Sequence, residues 1–259
     1  ITWRDNRLNH LFEQAFSMQG RVALITGGGS GLGLAIARSL HAAGAQVVLT
    51  GRREELLQEA CKELGERAAY EVSDVSLDAD CKALAKKVLD TYGRIDVLVN
   101  NAGKHVKKPV EQLTREDFQG ILDVHLLGSF FLTQAFLPMM RAQKSGSILF
   151  ISSMAATNAL TQVAAYSAAK TGMLGLVRSL AGEVSIDGIR VNAILPGFID
   201  TPMFRKATDT DPARYQKIMG HTPMARAGQP MDIGWAALYL AAPASQFVTG
   251  TTLVVDGGF

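Results

Sequence analysis

Cysteine is nearly absent: only Cys61 and Cys81 occur. Both fall in segments of helical pattern and neither has metal-ligand spacing, which excludes a disulfide scaffold or a cysteine-ligated metal. They read as reduced structural thiols of a cytoplasmic protein. Excess charge is also scarce, since 26 Lys and Arg against 24 Asp and Glu leave a formal net charge of +2. That balance does not argue for a nucleic-acid partner. No apolar run approaches the roughly 18 residues that cross a bilayer, and no signal-peptide pattern opens the chain, so no membrane partner is expected. The chain opens on Ile1 rather than Met, consistent with a lost or trimmed start. What remains is 259 residues, 47% apolar and 19% charged, enough for one large α/β domain.

Glycine, by contrast, is plentiful at 25 residues, and it clusters. Residues 21–26 read as a strand, followed by Gly27, Gly28, Gly29, Ser30, Gly31, Leu32 and Gly33 and then by a helical run. Glycines between a strand and a helix let backbone amides approach a pyrophosphate, which the helix N-terminus favours electrostatically. A second strand, 45–50, ends in Gly51, Arg52 and Arg53 rather than in an acid that would take the ribose hydroxyls of NAD. A guanidinium can fork onto a phosphate, so NADP(H) is expected, with NAD possible; the alternative leaves both arginines solvated. Residues 68–72 form a third strand leading to Asp74, which either accepts from an adenine amino group or caps the next helix. A fourth strand, 95–99, runs into Asn100, Asn101, Ala102 and Gly103. The strand-helix alternation predicts a doubly wound parallel sheet.

Residues 147–170 carry the chemistry. A buried-strand pattern delivers Ser152 and Ser153, and a small-residue helix delivers Tyr166 and Lys170, four apart and therefore on one face. A cation beside the phenol would lower its pKa, a serine hydroxyl would hold a substrate oxygen, and hydride would need a cofactor. As an isolated pair, Tyr166 and Lys170 would mean little.

In order along the chain, these marks resemble the short-chain dehydrogenase/reductase family from about residue 20 to 259. They are Thr26, Gly27, Gly31 and Gly33; Asp74; Asn100 to Gly103; Ser153, Tyr166 and Lys170; Pro196 and Gly197; and the ending Val-Thr-Gly-Thr-Thr-Leu-Val-Val-Asp-Gly-Gly. The resemblance implies a Rossmann-type single domain preceded by an extension, residues 1–19, whose Trp3, Leu8, Leu11, Phe12 and Phe16 pattern reads as a short amphipathic helix. It implies that Tyr166 is the general acid/base, that Lys170 lowers its pKa and holds the nicotinamide ribose, and that Ser153, thirteen residues before the tyrosine, positions the substrate oxygen. Ser30, Leu32, Val75, Asn101, Ala102 and Gly103 join the cofactor contacts, and Ile199 and Thr201 fix the nicotinamide amide. A homo-tetramer is implied through the 117–140 helix, with its Phe130, Phe131, Phe136, Met139 and Met140, and the helix after Tyr166.

One position departs from the family pattern. Where an asparagine usually stands, this chain has His125. In the family that residue helps hold a water between the lysine and solvent, partly through its backbone carbonyl, which any residue supplies, so His125 is expected to be a modified fourth member of a working proton relay, the alternative being a weakened or inactive enzyme. No second ligand is spaced to make it a metal ligand. Residues 201–227 are long enough for a substrate lid, with Met203, Phe204 and Met224 as wall candidates. Lys104, His105, Lys107 and Lys108 bring positive charge to the crevice mouth, which suits a carboxylate-bearing substrate. This loop and the Gly51-Arg52 pair look like those of gluconate-type dehydrogenases. The expected activity is interconversion of a secondary alcohol and a ketone on a small polyhydroxylated or acidic molecule such as a sugar acid. The alternatives are a 3-oxoacyl-thioester reductase and a non-catalytic nucleotide-binding sensor or scaffold.

Overall fold

Alternation within the strands sets the layers. In β1 (Val22–Thr26), Val22 and Leu24 face one helical layer while Ala23 and Ile25 face the other, as a two-residue period requires. The computed structural model describes residues 6–209 and 211–259; Trp3 and the side chain of Leu8 lie outside what is described. The remaining strands are β2 (Gln46–Gly51), β3 (Ala68–Val72), β4 (Val97–Asn100), β5 (Gly146–Ile151), β6 (Ile189–Pro196) and β7 (Thr252–Val255). All pairs are parallel, in the order β3-β2-β1-β4-β5-β6-β7.

The helices are α1 (Asn6–Phe16), α2 (Gly31–Ala42), α3 (Glu54–Leu64), α4 (Asp78–Tyr92), α5 (Arg115–Leu122), α6 (Gly128–Gln143), α7 (Ala164–Val184), α8 (Pro202–Thr208), α9 (Pro212–His221) and α10 (Pro230–Ala241). Leu84 and Val88 of α4, Leu132, Phe136 and Met140 of α6 and Met173 and Val177 of α7 cover one face of the sheet. Ile36 and Leu40 of α2, Leu57 of α3 and Ile233 and Ala237 of α10 cover the other. Chain order reverses between β1 and β4, and ligands of open parallel sheets bind in the crevice outside such a switch point.

The single helix read over 117–140 is corrected in its middle. Between α5 and α6 the residues Asp123–Leu127 form a π-helical turn, one residue wider than the α-helical repeat, and His125 sits on it. Arg115–Gln143 as a whole is long and apolar enough to cross a membrane by length and composition, contrary to the expectation that no run would qualify. Val124, Leu132, Phe136 and Met140 of this stretch pack in the core against the sheet, and Ile121 packs with Ala165 and Ala169 of α7.

At the opposite rim, Asp96 is buried and accepts from Arg94, from Arg21 and from the Val22 amide at 2.6–3.0 Å. Burial alone would raise its pKa, but these bonds outweigh it and hold the carboxyl below 3.8. A folded-state pKa below the unfolded one stabilises the fold above the unfolded value, and that stability disappears as pH falls through the folded value. Asp96→Ala is therefore expected to cost about 3 kcal/mol near neutral pH. Urea denaturation should show the variant and the wild type converging as pH falls below 3.8.

Candidate active site

β5 leaves the sheet through two serines with different partners. The Ser152 hydroxyl is buried and donates to the Lys170 carbonyl at 2.9 Å, tying the strand end to α7. Ser153 turns outward in extended conformation, accepts from the Ala155 amide at 3.1 Å and stands beside the Tyr166 phenol, whose pKa it draws down. Tyr166 lies in the first turn of α7 and Lys170 one turn on, so the structure brings Ser153, Tyr166 and Lys170 together.

The Lys170 ammonium, 4% exposed, donates to the Ile151 carbonyl at 2.6 Å and lies 5.5 Å from the Tyr166 ring centre. Burial pulls its pKa down to about 7. Burial also pushes the Tyr166 phenol up, with the Ser153 hydrogen bond opposing. The Lys170 hydrogen bond goes to the Ile151 carbonyl and not to the phenol, and removal of the phenol from water is the larger influence on Tyr166.

The dinucleotide cleft lies at the rims of β1, β2, β3 and β4. Ser30 stands at the N-cap of α2 without making a side-chain cap bond, which leaves first-turn amides available to an anion. Gly31 has φ +55° and open space where a β-carbon would project, whereas a β-carbon on Gly33 would stand 2.2 Å from the Gly27 carbonyl oxygen. The loop is thus open toward the cleft and tightly packed behind. Two buried hydroxyls, on Thr50 and Ser73, have no partner among the described residues, and both line the cleft. Open backbone, free helix amides and unpaired hydroxyls fit a dinucleotide such as NADP(H).

Several residues read as cofactor contacts use their side chains within the protein. Thr26 is buried, and its hydroxyl accepts from the Asn101 and Ala102 amides at 2.8 Å and donates to the Val99 carbonyl. The Asn101 side chain donates to the Thr26 carbonyl at 2.8 Å. These groups hold the two loops to each other. Asp74 accepts from the Ser76 amide and hydroxyl and lies 3.6 Å from Arg52. Burial disfavours its ionised form, but the Ser76 bonds and the Arg52 charge bring its pKa down on balance. It does not cap the next helix, because Leu77 is the N-cap residue of α4. Arg52 remains mostly exposed, while Arg53 reaches back to the Ser30 hydroxyl at 3.4 Å, a link between the second strand end and the glycine loop that spacing does not reveal. Leu32 packs against the core cluster of the α2 face, and Val75 is buried in that of the other.

On the far side of the crevice, a β-carbon on Gly197 would meet Asp256, so Pro196 and Gly197 pack directly on the chain after β7. Ile199 is buried and bridges to Gly228, and the Thr201 hydroxyl caps α8. Met203 is 62% exposed on α8 and Met224 is also exposed, so neither reads as a buried pocket wall.

The basic loop is only partly directed at the mouth. Lys108 pairs with Asp117 at 2.5 Å, and the Lys104 ammonium lies over Gly120 of α5. His105 does face the site, its ring edge-on to Tyr166 at 5.5 Å. Burial holds its pKa down, helped by the charges of Lys107 and Arg214. Arg214, in the first turn of α9, is half-buried and has no carboxylate partner among the described residues; nothing in the local sequence marked it. His125 also contacts the Tyr166 ring, edge-on at 5.3 Å.

A family described as enoyl-(acyl carrier protein) reductase has a sequence model matching residues 27–259. Galactitol 2-dehydrogenase (L-tagatose-forming) of Cereibacter sphaeroides is 36% identical, over 96% of this chain and 98% of that protein. A 3-oxoacyl-[acyl-carrier-protein] reductase of Vibrio cholerae is 34% identical, over 93% and 98%. A solved gluconate 5-dehydrogenase of Burkholderia cenocepacia, in complex with NADP and tartrate, superimposes with a TM-score of 0.90 at 35% identity, over 95% and 98%.

Proposed function

The chain belongs to the short-chain dehydrogenase/reductase family of oxidoreductases, and on that premise we propose that it prefers NADP(H) and interconverts a secondary alcohol and a ketone on a small hydroxylated acid such as a sugar acid. The observation that carries the reading is the cluster of Ser153, Tyr166 and Lys170 at the mouth of a dinucleotide cleft, with His105 against the same phenol.

When bound, NADP(H) supplies or accepts the hydride. Ser153 holds the substrate oxygen by a hydrogen bond. In reduction Tyr166 gives its proton to that oxygen, and in oxidation the phenolate takes it away. Lys170, its pKa drawn down by burial to about 7, would hold a ribose hydroxyl and return the proton to Tyr166. Arg52 and Arg53 hold the extra phosphate of NADP. Lys107 and Arg214 present positive charge to a substrate carboxylate, the neutral His105 ring offers it a hydrogen bond, and the gluconate 5-dehydrogenase neighbour holds tartrate, a hydroxy diacid. Residues 201–227 close over it. The protein works in the cytoplasm as a homo-tetramer, with α6 and α7 at subunit contacts.

A second reading, reduction of a 3-oxoacyl thioester, is favoured by the similarity to the Vibrio cholerae reductase. The two serines test the mechanism common to both readings. Ser153→Ala is expected to lower kcat about 10²-fold. Ser152→Ala should leave kcat near the wild-type value and cost about 1 kcal/mol of stability. Steady-state kinetics with thermal denaturation of each variant would distinguish these roles, and equal kcat losses would contradict the assignment.

A further inference from the structure

His125 is 2% exposed, and the π-helical turn Asp123–Leu127 carries it beneath the loop that leaves β4. Its Nε2 lies 2.7 Å from the Lys104 carbonyl oxygen and 3.1 Å from the Lys104 amide nitrogen. The carbonyl contact needs a proton on Nε2 and the amide contact needs its lone pair, so one nitrogen makes one of these bonds at a time, and the shorter approach fits the Nε2–H form donating to the Lys104 carbonyl. The ring also lies beneath Gly103: a β-carbon there would stand 2.5 Å from Cε1. Its edge contact with Tyr166 completes three contacts by one imidazole, to the cofactor-side turn, to the start of the basic loop and to the phenol.

The geometry points to His125 as a positioning residue, a neutral clamp that fixes Gly103 and Lys104 through Nε2 and sets the Tyr166 ring, rather than a proton-relay member. The charges facing it agree with a permanently neutral ring. Burial above all, with the charges of Lys170 on α7 and of His105 and Lys104 on the loop, outweighs the hydrogen bond to the Lys104 backbone and holds its pKa at about 3. The imidazole therefore does not titrate in the range where the enzyme would work. Nδ1, buried and without a partner among the described residues, is the one feature a relay would use instead.

Two isosteres separate the nitrogens. A glutamine amide reaches the position of Nε2 and can both donate to the Lys104 carbonyl and accept from its amide, whereas an asparagine amide reaches only the position of Nδ1. The first readout needs no substrate: hydrogen–deuterium exchange of residues 103–108, whose order includes the bond from the Lys108 amide to the Gln162 carbonyl. His125→Gln should keep wild-type protection there, and His125→Asn should lose it. The second readout rests on the oxidoreductase reading. kcat/KM should stay within about threefold for His125→Gln and fall at least about tenfold for His125→Asn, the equivalent of one hydrogen bond, with the shape of the kcat–pH profile unchanged in both. Protection and activity kept by His125→Asn and lost by His125→Gln would overturn the proposal, as would a shifted pH profile in either variant. Absence of wild-type turnover would overturn the oxidoreductase reading, while the exchange result would still decide the clamp.

Discussion

Tyr166→Phe is expected to lower kcat by about 10³-fold, within the span general acid–base catalysis covers, while NADPH binding stays near the wild-type value. The substitution removes one oxygen from a half-buried site and leaves the ring that His105 and His125 contact edge-on, so the packing survives. The hydroxyl beside Ser153 is lost, and no other group takes its place at the substrate oxygen: burial keeps His125 neutral, and the Lys170 ammonium, which recharges the phenol, is itself turned to the Ile151 carbonyl. The wild-type pH profile should have a defined sign. Because burial raises the phenol above its ordinary value, the protonated form needed for reduction is present at neutral pH, whereas oxidation needs the phenolate and should accelerate as pH rises. Fluorescence titration with NADPH and steady-state kinetics in both directions would check binding and rate separately. A Tyr166→Phe variant with wild-type turnover would remove the phenol from the mechanism.

The second large effect is expected at the other end of the cofactor. Replacing both Arg52 and Arg53 by alanine should raise the KM for NADP about 100-fold and leave the KM for NAD within a few-fold, since a charged hydrogen bond contributes about 1.5–3 kcal/mol. Arg52 is mostly exposed, and its 3.6 Å contact with Asp74 is loose enough to yield to a phosphate. Arg53 is the less obvious partner, because its reach to Ser30 places a second guanidinium beside the glycine loop. Of the single variants, Arg53→Ala should therefore also lose affinity for NADP. An unchanged ratio of NADP to NAD efficiency in the double variant would assign both arginines to solvent.

Much of this could be read from the sequence, for a physical reason. Period-two apolar runs fix which side of each strand is buried, and the turn residues after them fall at one rim, so β1 with Gly27 to Gly33 and β5 with Ser153 and Tyr166 could be placed without coordinates. What could not be read depends on contacts between distant segments. Thr26 and Asn101 stand at a cofactor rim, yet their polar groups bind each other's backbones, since buried loops must satisfy their own amides and carbonyls first. The same competition turns Lys104 and Lys108 toward α5 and its first turn. The π-helical turn at His125 escaped because one extra residue in a long apolar helix barely changes its periodicity. Arg214 escaped because only the fold of α9 brings it near His105.

The most direct test is nicotinamide absorbance with purified protein, NADP and NAD in parallel, against sugar acids and polyols, with 3-oxoacyl thioesters assayed in reverse. The account predicts NADP-dependent oxidation of a hydroxy acid, faster at higher pH and lost in Tyr166→Phe. Tight NADPH binding with no turnover of any member of that panel would contradict it.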